Sequence, residues 1–272
     1  MYNWEKVQEA HAYIEKKCGI KPRAALILSL SFKKFAELIE QPTIIHNEEI
    51  PFWPRPAVPG HEGKIYAGYV KGVPVIALTG RAHYYEGYTM EELALPARVV
   101  GELGVKTLVV TNESGSVKRD IPPGTLINIE DHINMMGDNP LIGVNNDKWG
   151  PRFPDMSHPY DEEYMRILDE IALRRGVGLR RGIYFATHGP SLETAAEVRM
   201  IEKLGADVVG MSTVTEVIVA RHMGLKVLGI SCVTNYGTGI SDKKLTFEEI
   251  VEVSQKACTK TPAILEEFIA KL

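Results

Sequence analysis

Arg81 and His83 stand two residues apart after a run of apolar residues, and together they form a candidate anion clamp. An arginine presents planar, paired N–H donors that match the oxygens of a phosphate. Further along the chain, Ser212 precedes a segment typical of a helix start, where free backbone N–H groups attract anions. Taken one at a time, these residues also fit a solvated loop and a plain helix cap.

Two other polar residues suit a heterocycle. Glu193 and Asn235 each follow a different apolar run, and their side chains can bind the ring nitrogens and exocyclic groups of a base. As isolated residues, each is more often structural than functional. The argument for a site comes from their placement, because five apolar runs are each followed by polar side chains that include Arg, His, Glu, Ser and Asn.

The elements that position these residues follow from three repeats of one local plan. In residues 102–110, 203–210 and 222–229, a helix-like pattern stops at a glycine and a short apolar run follows. Glycine is the usual C-terminal cap of a helix, and apolar runs without alternation suit strands buried on both faces. Further predicted strands cover residues 24–30, 74–80, 125–129 and 182–187.

Helix starts are marked by capping boxes, in which a threonine is followed three residues later by glutamate. Four such boxes begin at Thr89, Thr194, Thr213 and Thr246. Alternating helices and buried strands predict an α/β fold, a single domain over residues 1–272 with a mixed, mainly parallel β-sheet flanked by helices. In such a sheet ligands bind beyond the carboxyl ends of the strands, so the polar residues should converge there. Residues 131–160 show no clear element and suit a functional or interface loop.

Composition argues against several classes of protein. The 272 residues carry 31 basic and 35 acidic side chains, a formal net charge of −4, with no basic block, so nucleic acid and membrane are poor partners. Cys18, Cys232 and Cys258 are far apart and lack metal-ligand spacing, which fits a reducing cytoplasm. The N-terminus is unlike a secretory signal, and no stretch approaches the ~20 apolar residues of a membrane span.

Taken in order, these motifs resemble the purine nucleoside phosphorylases of the trimeric type that prefers 6-oxopurines. The resemblance covers nearly the whole chain, with matching segments at 60–63, 80–88, 109–112, 131–134, 139–143, 152–157, 189–191, 193–194, 196–197, 205–214, 216–222 and 229–235. It implies the nucleoside phosphorylase fold and the cleavage of purine (deoxy)ribonucleosides, such as inosine and guanosine, by phosphate. It also implies no cofactor and no metal, inorganic phosphate as co-substrate, a homotrimer, and purine salvage in the cytoplasm.

The resemblance assigns an anion site. Arg81, His83 and Ser212 are expected to hold phosphate, with His61 near its entrance and the backbone of Glu113 contributing. Phosphate held below the sugar would supply the nucleophile and a negative charge that compensates the positive charge forming on the ribose.

The resemblance also assigns the ribose and the base. Tyr85 and Met211 are expected to line the ribose, and Phe153 to reach into the ribose pocket of a neighbouring subunit. Asn235 can donate to N7 of the purine and Glu193 can bind its N1–H edge, which stabilises the departing base as its negative charge develops. The expected catalytic residues are therefore His83, Glu193 and Asn235.

The first phosphate loop of the family departs from its pattern here. The family's Gly-Ser-Gly-Leu-Gly aligns with Ser-Leu-Ser-Phe-Lys at residues 29–33, so the phosphate-binding serine falls on Leu30. The glycines that let the backbone approach an anion are lost. Ser29 or Ser31 can substitute as a phosphate-binding residue, since their hydroxyls flank the position.

Two further departures leave other reactions open. Glu113 replaces an alanine, and its carboxylate would repel phosphate if it faced the site; Phe247 replaces a ribose-contacting histidine and cannot hydrogen-bond a 5′-hydroxyl. The alternatives are a purine nucleoside hydrolase in which Glu113 orients water, a phosphorylase of a 5′-modified nucleoside, and an inactive nucleoside-binding protein. The anion clamp argues against the last of these, because a binding module has no need of one.

Overall fold

The computed structural model of the chain describes residues 4–57, 63–241, 252–253 and 256–272. Its helices are α1 (Trp4–Cys18), α2 (Met90–Glu102), α3 (Glu162–Arg174), α4 (Ala195–Lys203), α5 (Val214–His222) and α6 (Thr261–Ile269). The strands are β1 (Ala24–Leu28), β2 (Glu40–His46), β3 (Lys64–Val70), β4 (Val73–Thr79), β5 (Thr107–Ser116), β6 (Leu126–Asn134), β7 (Leu179–Ala186), β8 (Val208–Gly210) and β9 (Lys226–Tyr236). Short 3-10 helices cover Leu30–Leu38, Asn47–Glu49, Tyr84–Glu86 and Cys258–Lys260.

The nine described strands form one sheet in the order β2-β3-β4-β1-β5-β8-β7-β6-β9. Strand β5 pairs in parallel with β9 along its length, and its last residues, Gly115 and Ser116, also pair antiparallel with β8. Because β9 also pairs with β6, and β6, β7 and β8 pair in turn, these five strands close into a barrel. Five of the nine pairings are parallel and four antiparallel, so the prediction of a mixed sheet in an α/β fold is confirmed.

Helices pack on the sheet in two groups. Helix α2 packs against both α1 and α5, while α3 packs against α6 and against strands β6, β7 and β9. Strand β1 is buried at every residue, and β9 is buried from Val227 to Thr234. Burial on both faces explains why these strands show apolar runs without alternation. Among the described helices, none is both long and apolar enough to span a membrane.

Strand boundaries are where the sequence prediction is wrong. Strand β5 continues through residues 111–116 and β9 through residues 234–236, which were predicted to follow the strands. These segments are polar, so the apolar pattern ends before the hydrogen-bonded ladder does. Strand β6 likewise includes residues 131–134. Strand β2 was missed because it lies at the sheet edge, contains a proline and is mostly exposed.

Two of the four predicted capping boxes are confirmed. Thr89 and Thr194 each accept a hydrogen bond from the backbone three residues on, and Glu92 and Glu197 reach back to complete the box. The box predicted at Thr213 is wrong, because its side chain makes no cap hydrogen bond. The box at Thr246 lies outside the described residues.

Candidate active site

The candidate site lies at the carboxyl ends of strands β1, β4, β5 and β9. These strands run parallel to one another, so their ends meet at one edge of the sheet. Ser29 and Ser31 follow β1, and Arg81 follows β4, while Glu113 and Asn235 lie near the ends of β5 and β9. The sheet therefore brings together side chains that are far apart in sequence.

Arg81 is held by a buried ion pair. Its Nε donates to Glu216 Oε1 at 2.6 Å, and each side chain is 7% exposed. Its Nη1 donates to the carbonyl of Thr111 at 3.0 Å. Its Nη2 is buried and has no hydrogen-bond partner within the described part of the chain. A buried cationic donor without an acceptor is costly, so this atom is suited to accept an oxyanion as a partner.

Thr111 joins Arg81 to the loop that follows β1. Its Oγ1 accepts from the Ser29 backbone N–H at 2.8 Å. Two residues further along β5, Glu113 Oε1 accepts from Ser29 Oγ and from the Ser31 backbone N–H, each at 2.8 Å, and also from Ser31 Oγ. The Glu113 carboxylate thus faces the segment that aligns with the family's first phosphate loop.

His83 and Tyr85 form a stacked pair with ring centroids 4.9 Å apart and planes 10° apart. The Nδ1 atom of His83 lies 3.0 Å from Glu86 Oε1. Burial, reinforced by the charges of Glu86 and Glu113 and opposed by Arg81, raises the pKa of Tyr85 to about 12. The phenol therefore stays protonated at neutral pH, and it lies within electrostatic reach of both Arg81 and Glu113.

Ser212 lies in a tight turn between β8 and α5. Its backbone N–H donates to the Tyr184 hydroxyl at 3.2 Å, and its Oγ is 3.1 Å from Thr213 Oγ1. The φ angle of Thr213 is 72°, which is rare for a β-branched residue. Asn112 Nδ2 donates to Thr213 Oγ1 at 2.9 Å, which holds this turn against strand β5.

The two base-binding candidates are each contacted by a threonine hydroxyl. Thr187 Oγ1 donates to Glu193 Oε1 at 3.3 Å, and Thr234 Oγ1 donates to Asn235 Oδ1 at 2.8 Å. A Cβ atom on Gly115 of β5 would lie 3.0 Å from Asn235 Nδ2, so the amide packs directly on that strand. Asn235 Nδ2 also donates one N–H to the Tyr236 carbonyl at 3.1 Å, so its second N–H is the one left to act as a donor to a base.

The structure gives fewer contacts for the remaining ribose and phosphate candidates. Met211 packs so tightly on Gly189 that a Cβ atom there would collide with its sulfur. Phe153 is 86% exposed and borders a surface cavity of about 570 Å³. His61 and Phe247 lie outside the described residues.

Residues that orient the site were missed from the sequence. Glu216 belongs to the predicted capping box at Thr213 and to a segment that matches the family, but it was given no role in the site, and its partner Arg81 is 135 positions away. Tyr184 and Glu86 bind Ser212 and His83, and neither was singled out. The signal that could have identified Glu216 is its position as an acidic residue in a predicted helix that is mostly apolar. The structure shows that this helix, α5, exposes little of its surface.

Comparison with known proteins assigns this fold and site to one class of protein. Residues 23–270 match the family model described as the phosphorylase superfamily. The chain is 45% identical to purine nucleoside phosphorylase 1 of Bacillus subtilis over 98% of each chain, and 37% identical to the Bos taurus enzyme, covering 100% of this chain and 95% of the other. A crystal structure of Schistosoma mansoni purine nucleoside phosphorylase in complex with inosine has a TM-score of 0.94 at 35% identity, covering 100% and 98% of the two chains. The chain belongs to the purine nucleoside phosphorylase family, which confirms the resemblance.

Proposed function

We propose that the protein cleaves purine (deoxy)ribonucleosides such as inosine and guanosine by phosphorolysis, giving free purine and (deoxy)ribose 1-phosphate. The observation that carries the proposal is the buried Nη2 of Arg81 at the carboxyl edge of the sheet, which has no hydrogen-bond partner among the residues that the structure describes. An arginine that is already oriented by Glu216 and Thr111 is suited to bind one more anionic acceptor. A relative crystallised with inosine supports the nucleoside half of the reaction.

Arg81, His83 and Ser212 hold the phosphate in this proposal. One phosphate oxygen bonds to C1′ as the bond from C1′ to the purine nitrogen breaks. The electron pair of that bond leaves with the base, and the remaining charge on phosphate offsets the positive charge that develops on the sugar. Tyr85 and Met211 border the ribose, where the protonated Tyr85 can donate to a sugar hydroxyl.

Asn235 and Glu193 stabilise the departing base. The Asn235 amide donates to N7 as negative charge develops there, and its orientation is fixed beforehand by Thr234. Glu193 accepts from N1–H, which 6-oxopurines have and adenine lacks. The preferred substrates are therefore inosine and guanosine.

The reaction needs no metal and no organic cofactor, since phosphate is the nucleophile and hydrogen bonds stabilise the leaving base. We place the protein in the cytoplasm, in purine salvage, without nucleic-acid or membrane partners.

The assembly that suits this function is a homotrimer. Three large apolar residues in the segment after β6 are strongly exposed: Ile142 at 70%, Val144 at 75% and Phe153 at 86%. Clustered apolar exposure of this kind marks protein interfaces. In the trimer, Phe153 completes the ribose pocket of the neighbouring subunit.

A second candidate function is hydrolysis, because the Glu113 carboxylate faces the loop where phosphate is expected. The two reactions separate when base release from inosine and guanosine is measured with and without phosphate and the sugar is identified. Ribose 1-phosphate supports phosphorolysis, and free ribose supports a hydrolase in which Glu113 orients water. If neither inosine nor guanosine releases its base, the protein is an inactive binding protein or an enzyme that acts on a 5′-modified nucleoside. Assays with a panel of 5′-substituted nucleosides would distinguish these two cases.

A further inference from the structure

Glu113 makes with residues 29–31 the contacts that a bound anion would make. Its Oε1 accepts from the Ser29 hydroxyl, from the Ser31 hydroxyl and from the Ser31 backbone N–H. Hydroxyl and backbone donors that converge on one oxygen are a common way for proteins to bind phosphate. Here the oxygen that accepts all three hydrogen bonds is Glu113 Oε1, which belongs to the protein itself.

The position of this carboxylate overlaps the expected phosphate site. Thr111 accepts from the Ser29 backbone through its hydroxyl and from Arg81 through its carbonyl, so the loop and the guanidinium border the same stretch of β5. Glu113 lies two residues further along that strand, on the same face as Thr111. A phosphate bound by Arg81 and the loop would meet a second negative charge within this space.

We propose that Glu113 is an intramolecular competitor of phosphate: its carboxylate occupies the anion position of the loop, and phosphate binds there only after that side chain leaves Ser29 and Ser31. The inference rests on the proposed phosphorolysis and adds the residue that sets the working concentration of the co-substrate. The loop lacks the family's glycines but still has hydrogen-bond donors, at Ser29 and Ser31. Because these donors bind Glu113, they are not available to phosphate.

A neighbouring carboxylate provides a matched control. Glu37 borders a cavity of about 510 Å³ that is also lined by Ser29 and Lys33. Its side chain is exposed, and Ser29 and Ser31 donate to Glu113 instead. Removing Glu37 therefore changes the local charge equally while leaving the loop donors occupied.

The test compares the wild-type chain with Glu113→Ala, Glu113→Gln and Glu37→Ala. Initial rates of hypoxanthine release from saturating inosine are measured over a range of phosphate concentrations. We expect Glu113→Ala to lower the apparent KM for phosphate by about tenfold or more, equivalent to about 1.4 kcal/mol. Glu113→Gln should lower the KM less, since the amide oxygen still occupies the donors. Glu37→Ala should change it by less than about twofold, because an exposed charge is screened by salt.

A second readout does not depend on turnover. The rise in Tm produced by inorganic phosphate without nucleoside should be larger in Glu113→Ala than in the wild type. If the KM for phosphate is unchanged or higher in both Glu113 variants while hypoxanthine release still depends on phosphate, Glu113 does not compete with phosphate. That result would leave the proposed phosphorolysis unaffected. An equal effect of Glu37→Ala also overturns it. Release of free ribose at a rate indifferent to phosphate in every variant would overturn both proposals.

Discussion

Glu216 holds Arg81 through a buried contact of 2.6 Å between Oε1 and Nε, and both side chains are 7% exposed. Removal of one partner of a buried ion pair leaves an uncompensated charge, which costs about 3–5 kcal/mol. We predict that Glu216→Ala lowers the free energy of unfolding by that order, as measured by urea denaturation. Added phosphate should recover part of the loss, because it gives Arg81 another anion.

The exposed pair Arg166–Glu170 on α3 is the control for this prediction. Its side chains are 61% and 51% exposed, so Glu170→Ala should cost less than about 1 kcal/mol. Arg81→Ala should nearly abolish phosphate-dependent turnover. If Glu216→Ala were as stable as the control variant, the ion pair would not be what orients Arg81.

Replacing Asn235 tests the donor to the base. Asn235→Ala should lower kcat for inosine on the order of 10²-fold, as expected for the loss of one donor to developing charge. Thr234→Val, which removes the hydroxyl that contacts Asn235 Oδ1, should lower kcat by a smaller factor because the amide remains but is less well oriented. Steady-state kinetics would show whether kcat rather than KM carries the change. If neither substitution changed kcat, Asn235 would not be the donor to N7 of the purine.

Base selectivity tests Glu193. Its carboxylate pairs with N1–H of a 6-oxopurine and opposes the unprotonated N1 of adenine. Glu193→Gln should therefore reduce the ratio of kcat/KM for inosine over adenosine, since an amide can also donate to N1. The comparison uses both substrates at the same phosphate concentration. Equal cleavage of adenosine and inosine by the unmodified protein would contradict this assignment.

Phe153 tests the assembly. Light scattering should give a mass of three copies of the 30.2 kDa chain. Phe153→Ala should raise the KM for inosine, because the ring completes the ribose pocket of the adjacent subunit. Leu173→Ala, which removes another strongly exposed apolar residue, at 81%, should leave KM unchanged. A monomer with full activity would contradict the trimer.

His132 predicts a loss of stability in acid. Its Nδ1 lies 3.2 Å from the Tyr160 hydroxyl, and burial lowers its pKa from 6.5 to about 4, with Asp131 opposing. The unfolded chain therefore binds a proton that the folded chain does not between pH 6.5 and about 4, and stability falls as the pH falls through this window. A difference of that size corresponds to roughly 3 kcal/mol of stability.

His132→Asn should flatten this dependence. Urea denaturation at pH 7 and at pH 5 would measure it, and the difference between the two free energies of unfolding should be smaller in the variant. An identical pH dependence in both proteins would show that other groups govern acid stability.

Local sequence signals predicted the elements whose cause is local. Helix α2 begins at a threonine that caps it, and β1 is an unbroken apolar run because both of its faces are buried. The polar ends of β5 and β9 were not predictable in this way. Their strand conformation comes from pairing with each other and, for β5, also with β8, and not from an apolar pattern.

The same distinction applies to the candidate site. Arg81, Ser212 and Asn235 are candidates from the sequence because polar residues follow apolar runs at the end of predicted strands. The Arg81–Glu216 pair and the contacts of Glu113 with Ser29 and Ser31 join distant segments, so no local spacing reveals them. The sequence showed that Glu113 was unusual, and the fold shows which donors it engages.

The most direct test of phosphorolysis is the fate of the sugar. Phosphorus NMR of a reaction containing inosine and phosphate measures ribose 1-phosphate while absorbance measures hypoxanthine. The account predicts one ribose 1-phosphate for each hypoxanthine released and no release without phosphate. Hypoxanthine accompanied by free ribose, with no phosphorylated sugar, would contradict it.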